Sequence, residues 1–299
     1  MLYNTFNEAY TTILNNNKVH NISITIAEPK HNIITCPQRK LDYKQLLGLL
    51  FYHLQGKSDL ESLLYYNKSY KAFSDDGETI NGMLGNRIFS YEGLFDIYNN
   101  KETNEIECEH IIIDQFQDCF TNFKNFYNIQ CYNPILDKNT LNSCNVSNLI
   151  FTKNHNQLDL TVNVIYLDFY YRFPYLSFFV SNLLFIMASR LQLDIGKIYI
   201  NINTLINYKQ VKLNSIDFVN SNDCIYYDAD MFTRMFDIEL MSRIQGNLIN
   251  KKEIKEILYS INNQYWQSLV ASLLKFNTGL DTFDKFILDE HKVMFSGNN

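Results

Sequence analysis

The chain has 299 residues, 46% of them apolar, enough for one large core or two small ones. Its formal net charge of −6 excludes a global electrostatic pull toward nucleic acid. Six cysteines (Cys36, Cys108, Cys119, Cys131, Cys144 and Cys224) form no CxxC pair, which argues against a zinc site and for reduced thiols in an intracellular, cytoplasmic protein.

Residues 1–16 can form an amphipathic helix, and Met1–Thr12 lacks the apolar core of a signal peptide. Ile22–Ala27 alternates apolar and polar residues and predicts a strand, with Ile33–Thr35 continuing the sheet after a turn. Tyr43–Leu54 predicts a helix, because Leu46, Leu47, Leu50, Phe51 and Leu54 make a broad apolar stripe. Ser58 is the expected N-cap of a second helix through Leu64, with Glu61 three residues on. Ser74–Gly77 is a turn signature, and Gly82 and Gly85 flank another bend.

Ile111–Phe123 reads as a helix and Asn128–Cys131 as a short strand ending at Asn133-Pro134. Asn145–Thr152 and Leu158–Leu167 predict a hairpin around the polar turn Lys153–Gln157. The apolar stretch Phe173–Ala188 is short for a bilayer span and contains Ser177, Ser181 and Asn182, so Leu176–Leu191 is expected to be a buried core helix with no membrane role. Lys197–Ile202 is one more strand. Asp228–Met241, Lys251–Asn262 and Tyr265–Leu274 read as helices before a frayed tail at Phe295–Asn299. The expected organisation is an α/β domain over residues 1–210 with a helical extension over 211–299 packed on it or on a partner protein.

Three stretches carry more than composition: Leu60–Phe89, Gln115–Pro134, and Asn142-Ser143-Cys144 followed by the hairpin, Leu167–Tyr175 and the apolar helix. Within and beside them stand Tyr52-His53-Leu54-Gln55-Gly56, Ser74-Asp75-Asp76-Gly77, Leu84-Gly85-Asn86-Arg87 and Pro174-Tyr175-Leu176. In this order, over residues 20–210, they resemble the thymidylate synthase and phage-type deoxypyrimidylate hydroxymethylase family. The resemblance implies a mixed, twisted sheet of five or six strands with the Leu176–Leu191 helix against one face. It also implies a homodimer whose sheets pack back to back, the apolar residues of Leu158–Leu167 with Tyr166 serving as that face. Its chemistry would attach a cysteine to C6 of a pyrimidine and move a one-carbon unit from folate to C5.

The departures from the family pattern bear on activity. Where the family carries phosphate-binding arginines, this chain has Asn125, Phe126 and Ile165. The ring-reading Asn falls on Leu176, the helical acid near Leu49, and the sugar-holding motif near Asn203–Leu205. A phosphate needs several fixed cationic donors, and the thiol chemistry needs a lowered Cys pKa and a proton-handling carboxylate.

Cys144 and Asp168 remain as the catalytic candidates, with Arg87, Arg172 and Lys124 as substrate-binding candidates. Each has a structural reading beside the functional one. Cys144 can be a buried core thiol, Asp168 a turn cap, and Arg87 half of an ion pair. Asp75-Asp76 reads as a solvated turn and Asp228 with Asp230 as a helix start, so no metal site is expected. The sequence thus points to a non-catalytic structural or protein-interaction module without a cofactor. The alternative is a folate-dependent C5-transferase on an altered pyrimidine nucleotide, with Cys144 as nucleophile.

Overall fold

The computed structural model describes residues 1–15, 20–34, 41–99, 106–206, 229–245, 256, 259–261, 266–267, 269–271 and 273. It is a mixed α/β fold built on an open, twisted six-stranded sheet in the order β1-β2-β8-β7-β6-β5. The strands are β1 (Leu2–Tyr3), β2 (His20–Ile26), β5 (Phe126–Gln130), β6 (Val146–Asn154), β7 (Gln157–Asp168) and β8 (Asp194–Ile206). β1 lies parallel to β2 and β7 to β8, while the β2–β8, β5–β6 and β6–β7 pairs are antiparallel.

Register sorts the strand residues into two faces. One carries continuous apolar rows, such as Ile129, Leu149, Val162, Ile200 and Ile24, all buried. The other presents Gln130, Asn148, Asn163, Asn201 and Ser23 in register, half-buried or exposed. Its amides bond in series. Asn201 Nδ2 donates to Asn163 Oδ1 (2.9 Å), Asn163 Nδ2 to Asn148 Oδ1 (3.0 Å), and Asn148 Nδ2 to Asn128 Oδ1 (2.5 Å).

The apolar face is covered by α6 (Phe173–Leu191), which starts with Pro174 in its first turn and ends at Gln192 in a left-handed cap. By length and composition this helix could cross a membrane, but 72% of its most apolar window is buried inside the protein, the position of a core helix. Its polar side chains are satisfied by its own backbone: Ser177 Oγ donates to Pro174 O (3.0 Å) and Asn182 Nδ2 to Phe178 O (2.7 Å). Helix α1 (Phe6–Asn15) is pinned beside it, with Tyr10 stacked on Phe169 and Phe173 and donating its hydroxyl to Tyr170 O (2.7 Å).

Helices α2 (Tyr43–Leu54), α3 (Leu60–Tyr66) and α4 (Leu84–Phe89) follow β2, with a 3-10 segment Lys68–Phe73 between α3 and α4. Asp42 caps α2 by accepting from Gln45 N (3.1 Å). Asp59, not the expected Ser58, caps α3 through Ser62 N (2.8 Å). Helix α5 (Gln115–Asn122) begins only after its cap Asp114, so the expected helix from Ile111 is too long. Residues 111–113 instead end β4 (Ile106–Ile113), which pairs with β3 (Tyr91–Asn99) in a separate two-stranded ribbon that the sequence reading missed. Ile33 and Ile34 form no strand.

Helix α7 (Ala229–Gln245) joins the same core. Phe236 meets Phe51 edge-on at 5.1 Å, and the Tyr66 hydroxyl donates to the buried Glu239 carboxylate, which also accepts from Arg243 Nε (2.9 Å). Trp266 is fully buried against Phe232. Residues 256, 259, 266–267, 269–271 and 273 are helical, whereas the remainder of the expected segments Lys251–Asn262 and Tyr265–Leu274, and the tail, lie outside the described residues, Ser260 and Ile261 excepted.

Candidate functional site

Two of the three sequence stretches, Leu60–Phe89 and the one that runs from Asn142, meet at one cleft, while Gln115–Pro134 adds no residue to its wall. Its walls come from α2 (Leu49, His53), the 3-10 segment (Tyr70, Phe73), the turn before α4 (Ile80, Gly82, Met83), the loop before β6 (Asn142, Asn145), the end of β7 (Leu167) and the start of α6 (Arg172, Tyr175, Leu176, Phe179). Gly82 lets the turn close onto that loop. Its φ is +68°, and a Cβ there would collide with the backbone of Asn142, Ser143 and Cys144. Leu49 and Leu176 are part of the cleft wall and add only apolar surface.

Cys144 lies behind this wall and is fully buried. Its thiol donates to Val146 O (3.4 Å). Burial pushes the thiol up to about 12; the Asp137 carboxylate adds to that rise, and Arg87 opposes it. At neutral pH the sulfur is therefore protonated and has no open path to a ligand, the reverse of an activated cysteine.

Arg87 and Asp137 form a hub beneath the loop. Arg87 Nη2 donates to Asp137 Oδ1 (3.0 Å) and Asn81 Oδ1 (2.9 Å), with both charged side chains almost wholly buried. Asp137 Oδ1 also accepts from Cys144 N (2.8 Å) and Asn81 Nδ2 (3.0 Å), and Asp137 Oδ2 accepts from Asn133 N (2.9 Å). Arg87 is thus committed to holding the loop that carries Cys144. Asp137 went unnoticed in the sequence reading; the only local signal was a carboxylate soon after the Asn133-Pro134 turn.

Asp168 is buried and caps the turn into α6, accepting from Tyr171 N at 2.9 Å. Lys124 is exposed between α5 and β5 and is not part of the cleft wall. Of the three cationic candidates, Arg172 alone faces the cleft. Its guanidinium lies over the Phe73 ring at 5.2 Å, and among the described residues it has no carboxylate within ion-pair distance.

His53 stands in the Tyr52–Gly56 stretch but had no role assigned there, and it joins Asn142 and Asn145 among the polar groups of the wall. Its Nδ1 accepts from Gly85 N (3.1 Å), which fixes the neutral ring with its proton on Nε2. Burial lowers its pKa to about 4. The ring also rests on Phe179 at 4.7 Å. Among the described residues no group of three His, Cys, Asp or Glu side chains is placed to hold a metal ion.

No family model matches the chain, and no curated protein matches it.

Proposed function

We propose that this chain is a non-catalytic relative of the pyrimidylate C5-transferases it resembles, acting in the cytoplasm as a structural or protein-interaction module. The observation that carries this reading is the complete burial of Cys144 behind its own loop, which also pushes its thiol pKa up. The neighbouring candidates are also occupied. Arg87 is paired with Asp137, and Asp168 caps a turn. A nucleotide phosphate would find one guanidinium, Arg172, where tight binding of a dianion calls for several.

The interaction surface of this reading is the open sheet face, and its occupant is a second copy. The apolar residues of β7 (Leu158, Leu160, Val162 and Val164) are buried against the core, so they cannot serve as the dimer face in the way the sequence suggested. The face on offer is the amide row. Ser23, Asn148, Asn163, Asn201 and Gln130 carry no charge, and charge depletion marks interface centres. An amide both donates and accepts, so the row is complementary to itself across a two-fold axis.

Titration calorimetry with dUMP, dCMP and dTMP, with and without a folate, tests the non-catalytic reading. The expected result is no saturable heat from folded protein. Sub-millimolar binding that disappears in Cys144→Ala would overturn it.

A further inference from the structure

The cleft beside Arg172 has its own chemistry, separate from that of the buried thiol. It offers a volume of about 120 Å³. An apolar cavity of about 150 Å³ holds one benzene molecule, so the cleft is of the size of a single six-membered ring, and it opens to solvent on one side. The sugar and phosphate of a nucleoside monophosphate would have to lie outside that space. The walls suit a flat ring, being built from Phe73, Phe179, Tyr70 and Tyr175 with Leu49 and Leu176 between them.

The polar groups of the cleft favour negative charge. The Arg172 guanidinium lies over the Phe73 ring at 5.2 Å, a contact that uses none of its N–H groups on a carboxylate, and no described carboxylate neutralises it. His53 adds a second donor of fixed identity, since Gly85 N occupies Nδ1 and no described group accepts from Nε2. Held neutral by burial, it contributes a donor but no second charge.

We propose that this cleft binds a small flat organic monoanion, an aromatic or heteroaromatic carboxylate, with its ring among Phe73, Tyr175 and Phe179 and its carboxylate on Arg172. One guanidinium matches one carboxylate in charge and in bidentate geometry. The inference goes beyond the non-catalytic reading and stands independently of it.

Titration calorimetry of the full chain with benzoate, benzamide and dUMP tests it. Benzoate is expected to bind saturably in the millimolar range or tighter, and benzamide, which has the same shape without the charge, not to bind measurably. Arg172→Gln should weaken benzoate by at least about tenfold, the loss of one charged hydrogen-bonding partner. Arg190→Gln, whose guanidinium lies over Phe120, should leave it unchanged. If Arg172→Gln fails to fold, Phe73→Leu serves in its place and should weaken benzoate by removing the surface on which the guanidinium rests. No benzoate binding by folded wild type, equal binding of benzamide, or full binding by the folded Arg172 variant would overturn the proposal. Silence with all three ligands would leave the non-catalytic reading standing, whereas tight dUMP binding would count against both.

Discussion

The guanidinium of Arg87 and the carboxylate of Asp137 meet at 3.0 Å with 3% and 0% of their side-chain surfaces exposed. The pair ties α4 to the loop that carries Cys144, because the same carboxylate oxygen accepts from Cys144 N. Removing one partner of a buried pair leaves the other charge uncompensated. Arg87→Ala is therefore expected to cost about 3–5 kcal/mol in urea unfolding. A loss within about 0.5 kcal/mol, the size of a surface change, would contradict that assignment.

Stability should fall on mild acidification through His53. Burial lowers its pKa from 6.5 to about 4, so between these values the unfolded chain binds the proton and the folded one does not. The contribution is fully present above 6.5 and is lost as pH falls toward 4. His53→Gln should shrink the difference in urea midpoint between pH 7 and pH 4.5. An unchanged difference would mean that the ring takes up its proton without opening the fold.

The amide row predicts a dimer that one charge can break. Sedimentation at micromolar concentration should show a dimer, and Asn163→Lys, which sets like charges against each other at the seam, should give a folded monomer. A wild-type monomer, or a dimer indifferent to the lysine, would rule out this face.

Trp266 is the chain's single tryptophan and reports on the C-terminal helices. It is fully buried against Phe232, so its fluorescence should resist iodide quenching in the isolated protein. Trp266→Ala should cost about 3–5 kcal/mol, as truncation of a large core side chain does. Ready quenching would mean that these helices wait for a partner.

The parts of the fold that could be read from sequence were those with unambiguous periodicity. The β6–β7 hairpin, helix α2 and helix α6 follow directly from alternation or an apolar stripe. Ile111–Ile113 could not be assigned this way, because a short apolar run fits either a helix or a strand and the cap that decides, Asp114, comes after it. The face of β7 was misjudged for a related reason: alternation gives two faces but does not say which one the helix covers. The site was legible only in pieces. Cys144, Asp168, Arg87 and Arg172 could be named from sequence, but their accessibility depends on side chains brought from elsewhere, Asp137 above all. His53 owes its role to Gly85, 32 residues away, and no local pattern records that contact.

If Cys144 is a sealed structural thiol, its reactivity must change only when the chain unfolds. Folded protein is treated with iodoacetamide at pH 7.5 and the labelled cysteines are mapped by mass spectrometry, alongside a sample unfolded in urea. Cys144 is expected to stay unmodified while the chain is folded and to be labelled only after unfolding. Rapid alkylation of Cys144 in the folded protein, slowed by added dUMP, would contradict it and restore the thiol as a nucleophile.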